Sequence, residues 1–365
     1  MVSRLFLASF LAGCSDATSA PSEDVGGDAF AADSLVTDTS LADVPVAETS
    51  SALDSTPPTD AGADVAAPCE PLPSTIPIGT TGALTDTSAT AERRLVLMGG
   101  GAEVDEASRL FVQGANGGDV LVLRATGSVD SYTGYFGKVG ATPAAASITT
   151  LLLADAAASS PPAVACRVDR AEALFLAGGD QWSYLGVWST GLQAHCQAPS
   201  RAVGGTSAGS MVFGAYAFTA EKGSVTSATA LAEPRGPAIT VRKSLYEQPE
   251  LAHALVDTHF SQRDREGRLL VFAAHMLAAG DSPALAIGID EDTALVIEGK
   301  SARVLGSGAV HAYLVAGPLT TFSVGSALGL GGIRHRVLPS GTTTPWPPVP
   351  GDILLEVASG KVRKL

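Results

Sequence analysis

The chain has 365 residues, 45% of them hydrophobic and 16% charged, and its formal net charge is −14. The charge is unevenly distributed, because residues 15–75 hold 12 of the 37 acidic residues and no lysine or arginine. The rest of the chain has 25 acids against 23 basic residues and no basic stripe that could follow a phosphate backbone. Nucleic acid is therefore not an expected partner, and the length admits one or two domains.

The N-terminus has the pattern of a targeting segment. Arg4 precedes the apolar run Leu5–Phe10, which is too short to span a bilayer. The next residues, Leu11–Cys14, resemble the bacterial lipobox, in which cleavage leaves the cysteine as a lipid-modified N-terminus. We expect residues 1–14 to be a lipoprotein signal peptide with the lipid on Cys14. The protein would then be exported and anchored to the bacterial cell envelope only through that lipid. A short buried segment is the alternative.

Residues 15–88 are predicted to be a disordered acidic tether, and residues 89–365 a single folded domain. The tether is dominated by Ala, Asp, Ser, Thr and Pro and is poor in aromatic residues. Such a composition cannot bury enough apolar surface to offset the entropy lost on folding. The remaining length is ample for a large core.

The four cysteines fit an exported protein. Neither C-x-x-C nor H-E-x-x-H occurs, so no metal site is predicted. Cys166 and Cys196 flank a predicted strand and helix and could form a disulfide, with two isolated buried thiols as the alternative. Cys69 lies in the predicted tether, where we assign it no role.

Short apolar runs alternate with helical patterns, which predicts an α/β fold with a doubly wound, mostly parallel sheet. The predicted strands are Leu95–Met98, Val120–Leu123, Thr150–Leu153, Ala173–Leu176, Ala202–Val203 and Leu255–Phe260. The predicted helices are Glu106–Asn116, Ser210–Phe218 and Arg268–Ala279. Closely spaced C-terminal strands indicate β-hairpins attached to the sheet edge, at Leu285–Ile289, Ala294–Ile297, Ala312–Ala316 and Ile353–Val357.

Gly205–Gly209 reads G-x-S-x-G directly after the run Ala202–Val203. This is typical of a nucleophile elbow, where a strand turns sharply into a helix and presents a serine, here Ser207. Glycines flank the serine because the turn brings backbone close to backbone. The motif by itself fits a simple tight turn equally well. A catalytic function also needs a base, an orienting acid and an oxyanion hole.

His259 is the best candidate for the base, because it lies at the carboxyl end of a predicted strand, where such sheets bind their ligands. His275 falls inside a predicted helix and His195 before a loop, so packing or surface roles are expected for both. Several carboxylates could orient the base. Asp257 lies beside the histidine on its strand, and three acids occupy residues 290–292 after the strand Leu285–Ile289. Spacing alone does not choose among them.

An oxyanion hole needs backbone N–H groups aimed where negative charge develops. Ala208, which follows the serine at a helix start, is expected to supply one of them. Gly179 in the loop after Ala173–Leu176 is expected to supply the other, with Gly99–Gly101 as the alternative loop.

Three arginines follow His259 closely, at Arg263, Arg265 and Arg268. They would give a fixed cluster of donors for a carboxylate beside the base, which indicates an acidic substrate group. A solvated helix start is the alternative.

Four blocks occur in order along the chain, at Gly178–Gln181, Gly205–Gly209, Asp257–Phe260 with the three arginines, and Ile289–Glu291. Together they resemble the signature blocks of the cyanophycinase-like serine peptidases, a family that includes the aspartyl dipeptidases called peptidase E. The resemblance covers roughly Leu95 to Val315. It implies a fold similar to class I glutamine amidotransferases, with serine replacing cysteine at the elbow, and no metal or cofactor.

The resemblance also implies roles for single residues. It makes Ser207 the nucleophile, His259 the base and Glu291 the orienting acid. The positions that match the pocket for the β-linked aspartyl-arginine unit of cyanophycinases are Gln181, Asp257, Arg263, Arg265 and Arg268. The chain departs from cyanophycinases proper at Thr258, where glutamine is frequent, and in Trp182–Tyr184. These departures leave the substrate less well defined than the catalysis.

The sequence therefore predicts an exported serine exopeptidase that acts on peptide substrates with aspartyl residues, favours β-aspartyl bonds and forms an acyl-enzyme at Ser207. One alternative is an inactive surface protein that binds acidic peptides in the same pocket. Another is an α/β-hydrolase esterase, whose order of serine, acid and histidine conflicts with an acid at Glu291, after His259. Formation of a homodimer is left open.

Overall fold

The computed structural model describes residues 68–83, 85–197 and 199–365. In this part of the chain, eighteen strands form two nine-stranded sheets of mixed parallel and antiparallel pairing, with helices packed against them. The predicted signal peptide with Cys14 and most of the predicted tether lie outside the described residues. Each helix of the described part is too short or too polar to cross a membrane.

The strands are β1 (Ile78–Gly82), β2 (Leu95–Met98), β3 (Asp119–Arg124), β4 (Ser147–Leu152), β5 (Ala173–Leu176), β6 (Ala202–Thr206), β7 (Tyr216–Phe218), β8 (Val241–Lys243), β9 (Ala254–Asp257), β10 (Ala284–Ile289), β11 (Thr293–Glu298), β12 (Ser301–Gly306), β13 (Ala309–Val315), β14 (Leu319–Thr321), β15 (Gly329–Pro339), β16 (Thr343–Pro345), β17 (Ile353–Ala358) and β18 (Lys361–Lys364). The α-helices are α1 (Asp105–Gln113), α2 (Asp130–Phe136), α3 (Ala156–Ser159), α4 (Pro162–Arg170), α5 (Thr190–His195), α6 (Ala208–Met211), α7 (Ser227–Ala232) and α8 (Glu266–Ala278).

The first sheet has the strand order β1-β4-β3-β5-β6-β2-β11-β12-β16. Its five central strands, β4 to β2 in that order, are parallel, and antiparallel strands flank them on both sides. Every residue of β2, β5 and β6 is buried, which explains why these strands read as short apolar runs without alternation. Their carboxyl ends lie side by side, so the residues that follow them share one edge of the sheet.

The second sheet has the order β18-β17-β15-β13-β10-β9-β7-β8, with β14 paired to β15. Only β7, β9 and β10 are parallel neighbours. The expectation of one doubly wound sheet is therefore corrected, because β9 and β10 belong to a sheet separate from β6. Apolar runs reveal that a segment is a strand, but they carry no information on which strand it pairs with.

The predicted helix Ser210–Phe218 is wrong from Val212 onward, because α6 ends at Met211 and the structure has β7 at Tyr216–Phe218. All residues from 208 to 218 are buried, so neither a helical nor an alternating period is visible in this stretch. Gly214 separates α6 from β7. A Cβ at this glycine would lie 2.6 Å from the carbonyl oxygen of Ala254, so the glycine permits close approach to β9.

The folded domain begins before residue 89, which corrects the predicted boundary. β1 pairs antiparallel with β4, and Cys69 forms a disulfide with Cys166 in α4. Of the two possibilities left open for Cys166 and Cys196, neither holds in full, because Cys166 pairs with Cys69 and only Cys196 is an isolated thiol. Cys196 is a buried free thiol, and burial raises its pKa to about 12. The composition of the segment before residue 89 did not indicate that it is folded, because few of its side chains are buried. Ile76 is one of the buried side chains.

Removing the disulfide should destabilise the domain, because it joins residues 97 positions apart and so restricts the unfolded chain. We expect Cys166→Ser to lower the free energy of unfolding by about 2–4 kcal/mol in urea melts. Dithiothreitol should lower the midpoint of the wild type and of the control Cys196→Ala, but not that of Cys166→Ser. A wild-type midpoint that ignores the reductant would contradict this account.

Candidate active site

Ser207 occupies the turn between β6 and α6, with φ of 51° and ψ of −120°. This conformation is unfavourable for a residue with a side chain, and the tight packing around it holds it in place. A Cβ on Gly205 would lie 2.6 Å from the carbonyl carbon of Gly209, and one on Gly209 would lie 2.0 Å from the oxygen of Leu176. Both flanking glycines are therefore required sterically.

Two short hydrogen bonds join three side chains into a chain. Oγ of Ser207 lies 2.7 Å from Nε2 of His259, and Nδ1 of the same imidazole lies 2.6 Å from Oε1 of Glu291. The histidine is buried, with 9% of its surface exposed. In this order, an imidazole can take the proton of the hydroxyl while the carboxylate holds the ring.

The end of β2 connects the segments that carry these side chains. The carbonyl groups of Met98, Gly99 and Gly100 each accept one backbone hydrogen bond. Their donors are, in that order, the N–H groups of Ser207, His259 and Asp292, at 3.0, 2.8 and 2.8 Å. Since Asp292 directly follows Glu291, three successive carbonyl groups fix all three segments relative to one another.

Gly100 also gives the imidazole its space. A Cβ at Gly100 would lie 2.3 Å from Cε1 of His259, and the glycine has φ of +87°, which other residues rarely adopt. The loop Gly99–Gly101, which the sequence offered as an alternative oxyanion loop, therefore packs against the candidate base. The steric need for glycine at this position was not foreseen from the sequence.

Of the four acids that the sequence left open, Glu291 is the one that contacts His259. Asp290 and Asp292 accept hydrogen bonds from backbone N–H groups of neighbouring loops. Asp257 pairs with arginine side chains. The three remaining carboxylates are thus engaged elsewhere.

The surroundings of His259 lower the pKa of its imidazole. Burial is the largest influence on the pKa of His259 and lowers it. The hydrogen bond to Glu291 raises this pKa, and the charges of Arg263 and Arg265 lower it again. The net pKa lies below the ordinary value for histidine, so at neutral pH the ring is available to accept a proton.

A cavity of about 270 Å³ opens beside Ser207. Gly179, Gln181 and Ala208, which the sequence singled out, all line it. The N–H of Ala208 is the first of α6, where a helix offers its N–H groups no acceptor of its own. Thr258 also contributes to the wall.

Asp257 and Arg268 form a buried ion pair beside the cavity. Asp257 is fully buried and accepts from Nε and Nη2 of Arg268 at 2.7 and 2.6 Å. It also accepts from Nη1 of Arg265 at 3.1 Å. The resemblance counted Asp257 among the substrate-handling positions. In the structure, Asp257 neutralises arginine charge and does not line the cavity.

Arg263 and Arg265 have donors to spare. Arg265 uses Nη1 for Asp257 and the carbonyl of Thr258, and within the described residues its Nε and Nη2 make no hydrogen bond. Burial lowers the pKa of Arg265 to about 10, so it is still cationic at neutral pH. Arg263 is 53% exposed and its Nε lies 3.9 Å from Oε1 of Glu291. With Arg268, these side chains make one wall of the cavity cationic.

The other histidines named from the sequence lie outside this site. His195 ends α5 and pairs with Asp169 at the surface at 2.7 Å, and His275 lies in α8, bonded to the carbonyl of Pro234 at 2.7 Å. Over the described ranges, no group of three or more His, Cys, Asp or Glu side chains is placed to hold a metal ion.

Comparison with known proteins gives distant structural similarities. No protein-family model matches the sequence, and no curated protein gives a significant match. One similar solved structure is a peptidase from an acI-B1 Actinobacterium, with 15% identity and a TM-score of 0.46, covering 70% of this chain and 98% of that one. Another is a Listeria monocytogenes EGD-e protein provisionally described as peptidase E, with 13% identity and a TM-score of 0.38, covering 59% and 99%. Both TM-scores lie below 0.5, so the function proposed below rests on the residues of this chain.

Removing the carboxylate of Asp257 should be costly, because it would leave the guanidinium of Arg268 buried without its partner. We expect Asp257→Ala to lower the free energy of unfolding by about 3–5 kcal/mol in urea melts. The control Asp264→Asn, at an exposed position between β9 and α8, should change it by less than about 0.5 kcal/mol. Equal stabilities for the two variants would show that the buried pair does not support the fold.

Proposed function

We propose that this chain is a serine-type peptidase that hydrolyses peptide bonds at aspartyl residues, with Ser207 as the nucleophile. The observation that carries the proposal is the continuous hydrogen-bonded chain from Ser207 through His259 to Glu291, beside a cavity with a cationic wall. A lone G-x-S-x-G turn has no need of a buried imidazole and a carboxylate in this order.

In the proposed reaction, Nε2 of His259 takes the proton of Ser207 as Oγ attacks the carbonyl carbon of the substrate. The imidazolium then protonates the leaving amine, the C–N bond breaks and an acyl-enzyme remains. Water, deprotonated by the same imidazole, attacks the ester carbonyl carbon. The bond between this carbon and Oγ of Ser207 then breaks, the imidazolium returns its proton to Oγ, and the acid product leaves. Glu291 holds the ring in place and stabilises the imidazolium while it carries the extra proton.

Two backbone donors are proposed for the oxyanion of the tetrahedral intermediates. They are the N–H groups of Ala208, at the first turn of α6, and of Gly179, in the loop after β5. Both residues line the cavity with Ser207, which supports this assignment. Fixed donors of this kind stabilise charge that develops only in the transition state.

A carboxylate close to the scissile bond is the substrate group that suits the cationic wall. Guanidinium groups bind carboxylates with charge-assisted hydrogen bonds, and Arg265 has unused Nε and Nη2 donors. In an aspartyl peptide bond of either linkage, one carboxylate of the aspartyl residue remains free. We propose that the β linkage is favoured, in line with the resemblance of Gln181, Arg263, Arg265 and Arg268 to a β-aspartyl pocket.

The size of the cavity supports an exopeptidase. At about 270 Å³ it is at or below the lower end of typical small-molecule sites, which span about 300–1,000 Å³. Such a space suits the terminal unit of a short acidic peptide better than the middle of a long chain.

We also propose that the protein is exported and lipid-anchored through Cys14. The disulfide between Cys69 and Cys166 supports export, since disulfides persist mainly in oxidising compartments.

Replacing the proposed nucleophile should abolish turnover without unfolding the protein. We expect Ser207→Ala to reduce kcat/KM for a β-aspartyl dipeptide by at least ~1,000-fold, because no other hydroxyl contacts the imidazole in the described site. The matched control Ser323→Ala, at an exposed serine, should keep wild-type kinetics. Activity of Ser207→Ala within tenfold of the wild type would refute the proposal. If the wild-type protein binds the β-aspartyl dipeptide but does not hydrolyse it, a peptide-binding surface protein would be favoured.

The pH dependence of the reaction should report the lowered pKa of His259. A general base must be neutral, so kcat/KM rises with pH through this pKa and then reaches a plateau. Because burial lowers the pKa, we expect the acidic limb to have its midpoint below about 6.5, the ordinary value for histidine. The measurement is kcat/KM for a β-aspartyl dipeptide between pH 4 and pH 9, and a midpoint above the ordinary value would contradict the assignment.

A further inference from the structure

Two short segments meet behind the contact between His259 and Glu291. One is the single 3-10 turn Ser261–Arg263, which begins two residues after the histidine. The other is the turn after β10, where Asp290 immediately precedes Glu291. Glu291 follows Asp290, and its Oε1 lies 2.6 Å from Nδ1 of the imidazole.

Asp290 connects the second turn to its surroundings with both carboxylate oxygens. Its Oδ1 accepts from the N–H of Ser261 at 3.0 Å, and its Oδ2 accepts from the N–H of Ala309 at 3.0 Å. The side chain is buried, with 6% exposure, and Nε2 of His311 lies 3.7 Å from Oδ2. A carboxylate buried with its oxygens engaged by backbone donors fixes both donors firmly.

Gln262 makes the same kind of contact in the opposite direction. Its Oε1 accepts from the backbone N–H of Glu291 at 2.9 Å. A backbone N–H of the first turn thus donates to a carboxylate of the second, and a backbone N–H of the second turn donates to an amide oxygen of the first. Each bond joins a residue at most one position from Glu291 to a residue at most three positions from His259.

We propose that Asp290 and Gln262 form a reciprocal clamp that positions Glu291 against His259. Neither side chain touches His259 or the reacting hydroxyl, so both are positioning residues. The clamp complements the carbonyl groups at the end of β2, which fix the backbone of the two segments but not the side-chain contact between them. The kinetic part of this proposal rests on the proposed peptidase function, whereas the structural part does not.

The clamp makes a prediction for the pKa of His259. The hydrogen bond to Glu291 raises this pKa against the effect of burial. A variant that lets Glu291 withdraw should therefore lower the pKa of His259 further, and a purely structural weakening elsewhere should not. The imidazole resonances of His259 give this pKa directly by NMR titration, and they require no substrate.

The test uses Gln262→Ala, at an exposed position, and Asp290→Asn, which leaves one of two backbone N–H groups without an acceptor. Asp119→Asn is the matched control, because Asp119 also ties down neighbouring groups, at the start of β3, through Thr87 and Ser147 at 2.8 and 2.6 Å. We expect both clamp variants to lower the pKa of His259 and to reduce kcat by roughly 3–100-fold, since misplacement by ~1 Å can cost ~100-fold. The control should change stability only.

The outcomes separate the clamp from the peptidase function. If the wild-type protein cleaves no aspartyl peptide but both clamp variants have a lowered His259 pKa, the clamp is supported and the peptidase function is refuted. If the wild-type protein is active and both clamp variants keep the wild-type kcat and the wild-type His259 pKa, the clamp alone is refuted. Because Gln262 is exposed, failure of Asp290→Asn to fold would leave Gln262→Ala to decide.

Discussion

Three successive carbonyl groups at the end of β2 set the geometry on which the candidate site depends. Met98, Gly99 and Gly100 accept the N–H groups of Ser207, His259 and Asp292. One strand end of the first sheet therefore holds the turn after β6, the segment after β9 of the second sheet, and the turn that leads from β10 of the second sheet to β11 of the first. Backbone hydrogen bonds are short and directional, and their donors cannot drift independently. Because Gly100 has no Cβ, the imidazole of His259 has the space to lie within hydrogen-bond distance of the Ser207 hydroxyl.

The electrostatics follow from what this geometry buries. Three arginines follow closely after the histidine, and the repulsion between the two buried ones, Arg265 and Arg268, is offset by Asp257, which pairs with both. The same burial that makes this pair necessary lowers the pKa of His259. One carboxylate compensates buried charge while another, Glu291, contacts the base, and their roles differ because of their neighbours rather than their chemistry.

The sequence predicted local features well and long-range pairing poorly. The strand Ala173–Leu176 was placed at its observed bounds, and the glycines around Ser207 were explained by close backbone approach, because such signals lie within a few residues. The separation into two sheets, the pairing of β1 and the bridge from Cys69 depend on contacts between distant segments, which local periodicity does not encode. Gln262 was missed for the same reason, since its partner lies 29 residues away.

The central claim is that the hydroxyl of Ser207 attacks the substrate. Its most direct test is to mix the protein with an activated β-aspartyl ester, quench the reaction in acid within milliseconds, and locate the acyl group by peptide mass mapping. The account predicts an aspartyl group on the peptide that contains Ser207, and none in Ser207→Ala. Steady hydrolysis with the acyl group on another residue, or with no covalent intermediate at any quench time, would contradict it.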